Sequence, residues 1–246
     1  MSYRIKIFFN LLTFFIFRFL FDINLWKSIL RYYRVFYSKK NYIDIIRLDD
    51  VLDWNQVSII IKKLNLSGGN ISRLEMLVIT AFASMLEDGE NFLEIGTFNG
   101  KTTINCAVNL KNNSQVLTID LPEGEELKNL DREDDYLEYD KNLILDQKRK
   151  DKEFNNLHNI NQIYADSTKM DFSLIDFSLA FIDGGHDYET VKIDTENCIS
   201  FIKRPGIILW HDYDVTNPVG NYLHSISKKY DIKWIEDTRI CILKLK

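Results

Sequence analysis

The stretch NFLEIGTFNG, from Asn91 to Gly100, decides how this chain is read. It carries an apolar run through Glu94 and Ile95, places Gly96 and Gly100 four residues apart with Thr97 between them, and leads into KTTINCAVNL, which has helical spacing. A strand that stops at a glycine turn and restarts as a helix leaves unpaired backbone N–H groups and a positive dipole end at the turn. Glycine allows the tight bend and a close approach of a ligand to the backbone. Twenty-four residues after Gly96 a second strand, QVLTI, ends at Asp120, the separation at which an acid can meet a ribose hydroxyl. The pattern predicts the nucleoside-binding half of a doubly wound sheet.

The turn lacks the GxGxxG spacing of dinucleotide folds and carries an acid, Glu94, two residues before its first glycine. A carboxylate there repels a pyrophosphate and suits an amino group. The pattern resembles the first motif of class I S-adenosylmethionine (SAM)-dependent methyltransferases, whose cofactor has a cationic methionine end and no phosphate.

Strands are predicted near 91–95, 115–119, 160–164, 179–183 and 206–210, alternating with helical stretches as in parallel βαβ units. Residues 51–64 and 72–87 have helical spacing, and Ser72 with Glu75 forms a capping-box signature for the second. The last two runs, DIKWIE and RICILKL, are separated only by Asp237 and Thr238, too short a link for a parallel crossover, so they must form a hairpin. The expected fold is α/β: a Rossmann-like, doubly wound, seven-stranded sheet, mostly parallel with an antiparallel C-terminal hairpin strand. An N-terminal helical extension precedes it. That ending is the class I methyltransferase topology and is foreign to a plain dinucleotide-binding sheet.

At 246 residues the chain suits one domain with an appendage. Residues 1–47 hold nine basic and two acidic residues, a net +7; the remainder holds 22 basic and 34 acidic, a net −12. The front is also rich in aromatics and contains the 17-residue apolar run Ile5–Phe21, short for a membrane span and interrupted by Lys6 and Arg18. The division predicts a methyltransferase domain over 48–246 and a basic helical extension over 1–47. The extension would lie in the membrane interface or pack in a dimer seam. In both cases the body is expected in the cytoplasm, at the inner face of the membrane if the extension binds there. Cys106, Cys198 and Cys241 are far apart without a CxxC and read as buried free thiols. The acidic excursion between Pro122 and Asn159 reads as a solvated charged helix.

The chemistry is expected at FIDGGHDYETVKID and PGIILWHDYD. Asp183 ends one parallel strand and His211-Asp212 the next, so all three point into the crevice where open α/β sheets bind ligands; His186 overhangs it. Two carboxylates and one or two imidazoles have the composition of a divalent-metal site. These segments, with the closing DTRICILKL, resemble the bacterial methyltransferase group that includes macrocin-type sugar O-methyltransferases and cephalosporin-hydroxylase-like proteins, over about residues 70–246. The resemblance implies SAM as cofactor and, as Mg2+ or Mn2+ ligands, Asp183 and Asp212, with His211 in the first place of the second acidic pair. It implies His186 as general base. The departure is His211, where the macrocin type has a carboxylate. Either the metal differs, or His211 sits beside it without ligating, or this branch works without metal.

The expected cofactor contacts are Glu94, Gly96, Thr97 and Gly100 at the methionine end, Asp120 at the ribose, and Asp166 with Ser167 at the adenine edge. The acceptor is expected to be a hydroxyl of a small molecule or saccharide, with no nucleic-acid partner. An NAD(P)-dependent oxidoreductase and a non-catalytic, membrane-attached Rossmann-like binding module are the competing readings.

Overall fold

The computed structural model describes residues 43–63, 70–121 and 154–246. The basic front up to residue 42 and most of the acidic excursion lie outside the described residues. Ile43–Lys246 forms one compact unit.

The elements, in chain order, are β1 (Asp44–Ile46), α1 (Leu48–Val51), α2 (Arg73–Ser84), β2 (Phe92–Ile95), α3 (Lys101–Ala107), β3 (Val116–Asp120), β4 (Ile160–Tyr164), β5 (Leu179–Ile182), α4 (Tyr188–Phe201), β6 (Gly206–Trp210), α5 (Pro218–Ile226), β7 (Lys233–Ile235) and β8 (Cys241–Leu245). They build an eight-stranded sheet in the order β1-β7-β8-β6-β5-β2-β3-β4. All neighbours are parallel except β8, which runs antiparallel to both β6 and β7. The C-terminal hairpin therefore forms as expected. The sheet has one strand more than the seven expected, because Asp44–Ile46, read as part of a helical extension, pairs in parallel with β7.

Alternation along the strands divides the interior into two apolar layers. Leu93, Ile95, Ala180, Ile182, Ile208 and Trp210 face α4 and α5. Phe92, Val116, Leu179, Phe181 and Leu209 face α2 and α3. The layers keep the parallel strands in register: Ile95 lies opposite both Ile119 and Ile182, and Ile182 lies opposite Trp210. Strands β2, β3, β5 and β6 thus end along one line.

Helix α2 starts where its capping box places it. The Ser72 hydroxyl accepts from the Glu75 N–H, and Glu75 accepts from the Ser72 N–H. The helix expected over 51–64 is not formed. Only the short turn of α1 is helical there, and residues 57–63 form neither helix nor strand. The cause is a side-chain ladder from α3 and the turn that follows it. Asn109 bonds both backbone groups of Ile60, at 2.7 Å each, while Asn105 accepts from the N–H groups of Lys62 and Lys63 and donates to the Lys63 carbonyl. The β-branched Val57, Ile59, Ile60 and Ile61 also weaken any helix there.

Asn105 is fully buried. Asn105→Ala would leave its backbone partners unsatisfied and should cost about 2–3 kcal/mol of stability in denaturant unfolding. Amide exchange should accelerate at Lys62 and Lys63; unchanged protection there would refute the ladder.

Candidate functional site

The glycine turn is wedged between its neighbouring strands. Gly96 has φ +100°, donates its N–H to the Ile119 carbonyl at 2.8 Å, and lies so close to the next strand that a Cβ would stand 2.1 Å from the Asp183 carbonyl oxygen. Gly100 (φ +74°) opens α3 in the left-handed conformation, and a Cβ there would meet the Phe154 ring at 2.5 Å. Both positions require glycine, for space as well as for φ. Between them Phe98 takes a positive φ and donates its N–H to Asp120 Oδ2 at 2.9 Å, while Leu121 N–H reaches Oδ1 at 2.8 Å. These two N–H groups orient the Asp120 carboxylate at the end of β3.

Glu94 lies beneath the turn rather than on its surface, on the sheet face that carries α3, and is 1% exposed. Its Oε2 accepts from the hydroxyls of Thr103 and Thr118 at 2.5 Å each. The Thr118 hydroxyl also meets Thr97 Oγ1 at 2.6 Å, which Gln162 Nε2 approaches at 3.1 Å. Burial raises the Glu94 carboxyl to about 8; the two hydroxyls oppose the shift and the charges of Asp183 and Asp120 add to it. Asp166 caps the turn Ser167–Lys169, accepting from the N–H and hydroxyl of Thr168. Asp166 and Ser167 follow β4 as expected, both nearly buried.

The second group stands at the ends of β5 and β6. Asp183, His186 and Asp212 offer ligand atoms within 4.8 Å of one another, and His186 Nε2 is 2.6 Å from Asp212 Oδ2. His211 sits behind them, 2% exposed. Its Nδ1 is 3.0 Å from Asp183 Oδ1 and 3.3 Å from Asp212 Oδ1, and its Nε2 is 3.5 Å from Glu75 Oε2. Carboxylates face both nitrogens and favour the protonated form of the ring. Burial would lower His211, but the Asp183 charge and the acids around the ring push it up to about 12. Burial would likewise raise Glu75, yet the His211 ring and the N–H groups of Ser72 and Arg239 hold it at about 2. Asp212 resists its own burial and stays well below the usual carboxylate range through His186 and His211.

Two members of this group carried no functional reading in the sequence. Glu75 reads there only as a cap. Arg239 enters because β8 runs antiparallel to β6: with Cys241 opposite Trp210, Arg239 falls opposite Asp212. Its Nη2 reaches Asp212 Oδ1 at 2.6 Å, its N–H donates to Glu75, and its carbonyl accepts from the Tyr213 N–H. These contacts hold Asp212 at φ +57°, an uncommon conformation for a side-chain-bearing residue. The hairpin expectation, followed through to register, is the signal that points to Arg239.

Because the folded value of His211 lies above its ordinary 6.5, the stabilisation from its charge is complete below that pH and is lost as pH climbs towards 12. In protein treated with chelator, 15N spectra should therefore show both ring nitrogens protonated at about pH 9, well above the ordinary imidazole range. A singly protonated ring at that pH would refute the imidazolium.

Residues 93–213 match the family model described as a methyltransferase domain. The matched span runs from β2 to just past β6 and holds the glycine turn, Asp120 and the Asp183–Asp212 group. Among curated proteins none matches the chain. Of solved structures, the O-methyltransferase NovP is similar over 71% of this chain and 80% of its own, at 12% identity and a TM-score of 0.53. A Staphylococcus aureus protein described as a caffeoyl-CoA O-methyltransferase is similar over 72% of this chain and 85% of its own, at 16% identity and a TM-score of 0.50. Identities this low speak for the fold. Residues 93–213 thus resemble a methyltransferase domain, and the described residues have the Rossmann-like fold of these O-methyltransferase structures.

Proposed function

We propose that the protein moves the methyl group of SAM to a hydroxyl oxygen of a small molecule or saccharide. One observation carries this reading: the Gly96 turn, where the cofactor would lie, packs backbone against backbone on Asp183, which opens the acid and imidazole group. A methyl donor on the turn and a hydroxyl beside His186 would then be neighbours, the arrangement that in-line transfer needs. Asp120 would hold the ribose, and Asp166 with Ser167 would edge the adenine.

His186 is the proposed base. Its Nε2 faces Asp212 Oδ2, a contact that orients the ring and favours its protonated form. As the acceptor oxygen takes the methyl group, its proton passes to His186, and Asp212 stabilises the imidazolium that forms. S-adenosylhomocysteine and a methyl ether are the products. His211 and Arg239 fix Asp183 and Asp212 from behind, and Glu75 balances their charge.

Asp183 and Asp212 also fit a divalent cation, a carboxylate pair that takes Mg2+ or Mn2+, with His186 kept beside it as the base. His211 sits behind the pair. An ion so held would supply Lewis-acid polarisation of the acceptor hydroxyl. For the N-terminal extension, the +7 charge of residues 1–47 supports attachment at the inner face of the cytoplasmic membrane.

In calorimetry on the full chain, SAM and S-adenosylhomocysteine should bind with micromolar affinity and NAD(P)H should give no heat; the reverse would overturn the reading. Asp183→Asn should weaken Mn2+ binding, followed by electron paramagnetic resonance, by roughly tenfold or more while S-adenosylhomocysteine affinity changes little. Against a panel of free and lipid-linked saccharides, His186→Ala should cut labelled-methyl transfer by about 10²-fold or more with SAM affinity preserved. If SAM affinity collapses instead, His186 is not the base.

A further inference from the structure

Glu94 has no place in the transfer step, and its surroundings are unusual for an acid. It is almost fully buried, and among the described residues no lysine, arginine or histidine pairs with it. Its partners are two neutral hydroxyls, Thr103 on α3 and Thr118 on β3. The titratable groups around it are acids or a thiol: Asp120 at the end of β3, Asp183 beyond β5 and Cys106 on α3. A buried carboxyl with hydroxyl donors only, flanked by negative charge, is held in its neutral form at pH 7, in keeping with its value of about 8.

Above it lies the turn assigned to the methionine end of the cofactor, and any link between Glu94 and SAM rests on that reading. This end carries an ammonium and a sulfonium. A positive charge about 5 Å from a carboxyl, at an effective dielectric of about 20, favours ionisation by roughly two orders of magnitude. We infer that SAM binding is coupled to the ionisation of Glu94: the side chain is a neutral acid in the free protein and becomes a carboxylate when the cationic end is seated, and its proton leaves to solvent. The threonine hydroxyls support both forms, because each can donate to the carboxylate and rotate to accept from the acid. The free protein thereby avoids an unpaired buried charge, and the charge arises when its partner arrives. Glu94 is in this sense a positioning residue that acts through Thr97 and Thr118, beneath the surface the cofactor touches.

The test is calorimetry of SAM binding to the full chain at pH 7.0 with chelator present, in several buffers of different ionisation enthalpy. The slope of observed enthalpy against buffer enthalpy counts the protons exchanged. The wild type should release about one proton per SAM, since a carboxyl with a value of about 8 is about nine-tenths protonated at that pH. Glu94→Gln, which keeps the shape and can accept both hydroxyls, should bind SAM with no release. SAM binding without proton exchange in the wild type, or the same release from Glu94→Gln, overturns the inference and leaves the cofactor reading intact. No SAM binding by the folded wild type overturns both. If the variant fails to fold, the wild type alone decides: net release should be gone at about pH 9, and release unchanged from pH 7 overturns the coupling.

Discussion

No side chain can stand at residue 96, and the site depends on that. The Gly96 backbone lies against the Asp183 carbonyl, at a distance where even a methyl group would overlap it. This contact brings the turn after β2 against the turn after β5 and lets the Gly96 N–H close onto the end of β3. Three strand ends are thus joined through one residue without a Cβ. The cofactor-side elements and the acid and imidazole group meet there because the parallel register of β2, β3, β5 and β6 ends them along one line.

Two glutamates on one side of the sheet show how surroundings decide the charge of a buried acid. Glu75 and Glu94 are 2% and 1% exposed, and both are penalised by burial. Glu75 faces an imidazolium and accepts two backbone N–H groups, so it stays ionised. Glu94 faces two hydroxyls and is repelled by Asp183 and Asp120, so its carboxyl is raised. The difference lies in the charge of the partners and not in the depth of burial. The first serves a permanent chain of alternating charge, Glu75–His211–Asp183/Asp212, which holds the reacting end of the site in one arrangement.

Much of this was legible in the sequence. The alternation of strands and helices, the capping box at Ser72 and Glu75, the closing hairpin, and the placing of Asp183 and Asp212 at strand ends all follow from local patterns. The failures share a cause. Residues 57–63 have helical spacing, but two asparagines more than forty positions away take their backbone hydrogen bonds. Asp44–Ile46 is too short to announce itself as a strand and exists because β7 offers an open edge.

The sequence by itself determined which residues stand at the ends of the strands, because side-chain alternation and turn chemistry act over a few neighbours. Only the tertiary structure decided what surrounds those residues: His211 has acids on both sides, Glu94 is a raised acid beneath the turn, and Arg239 is a partner of Asp212. Protonation and pairing depend on distances between elements remote in the chain, and those distances are set by sheet order and register.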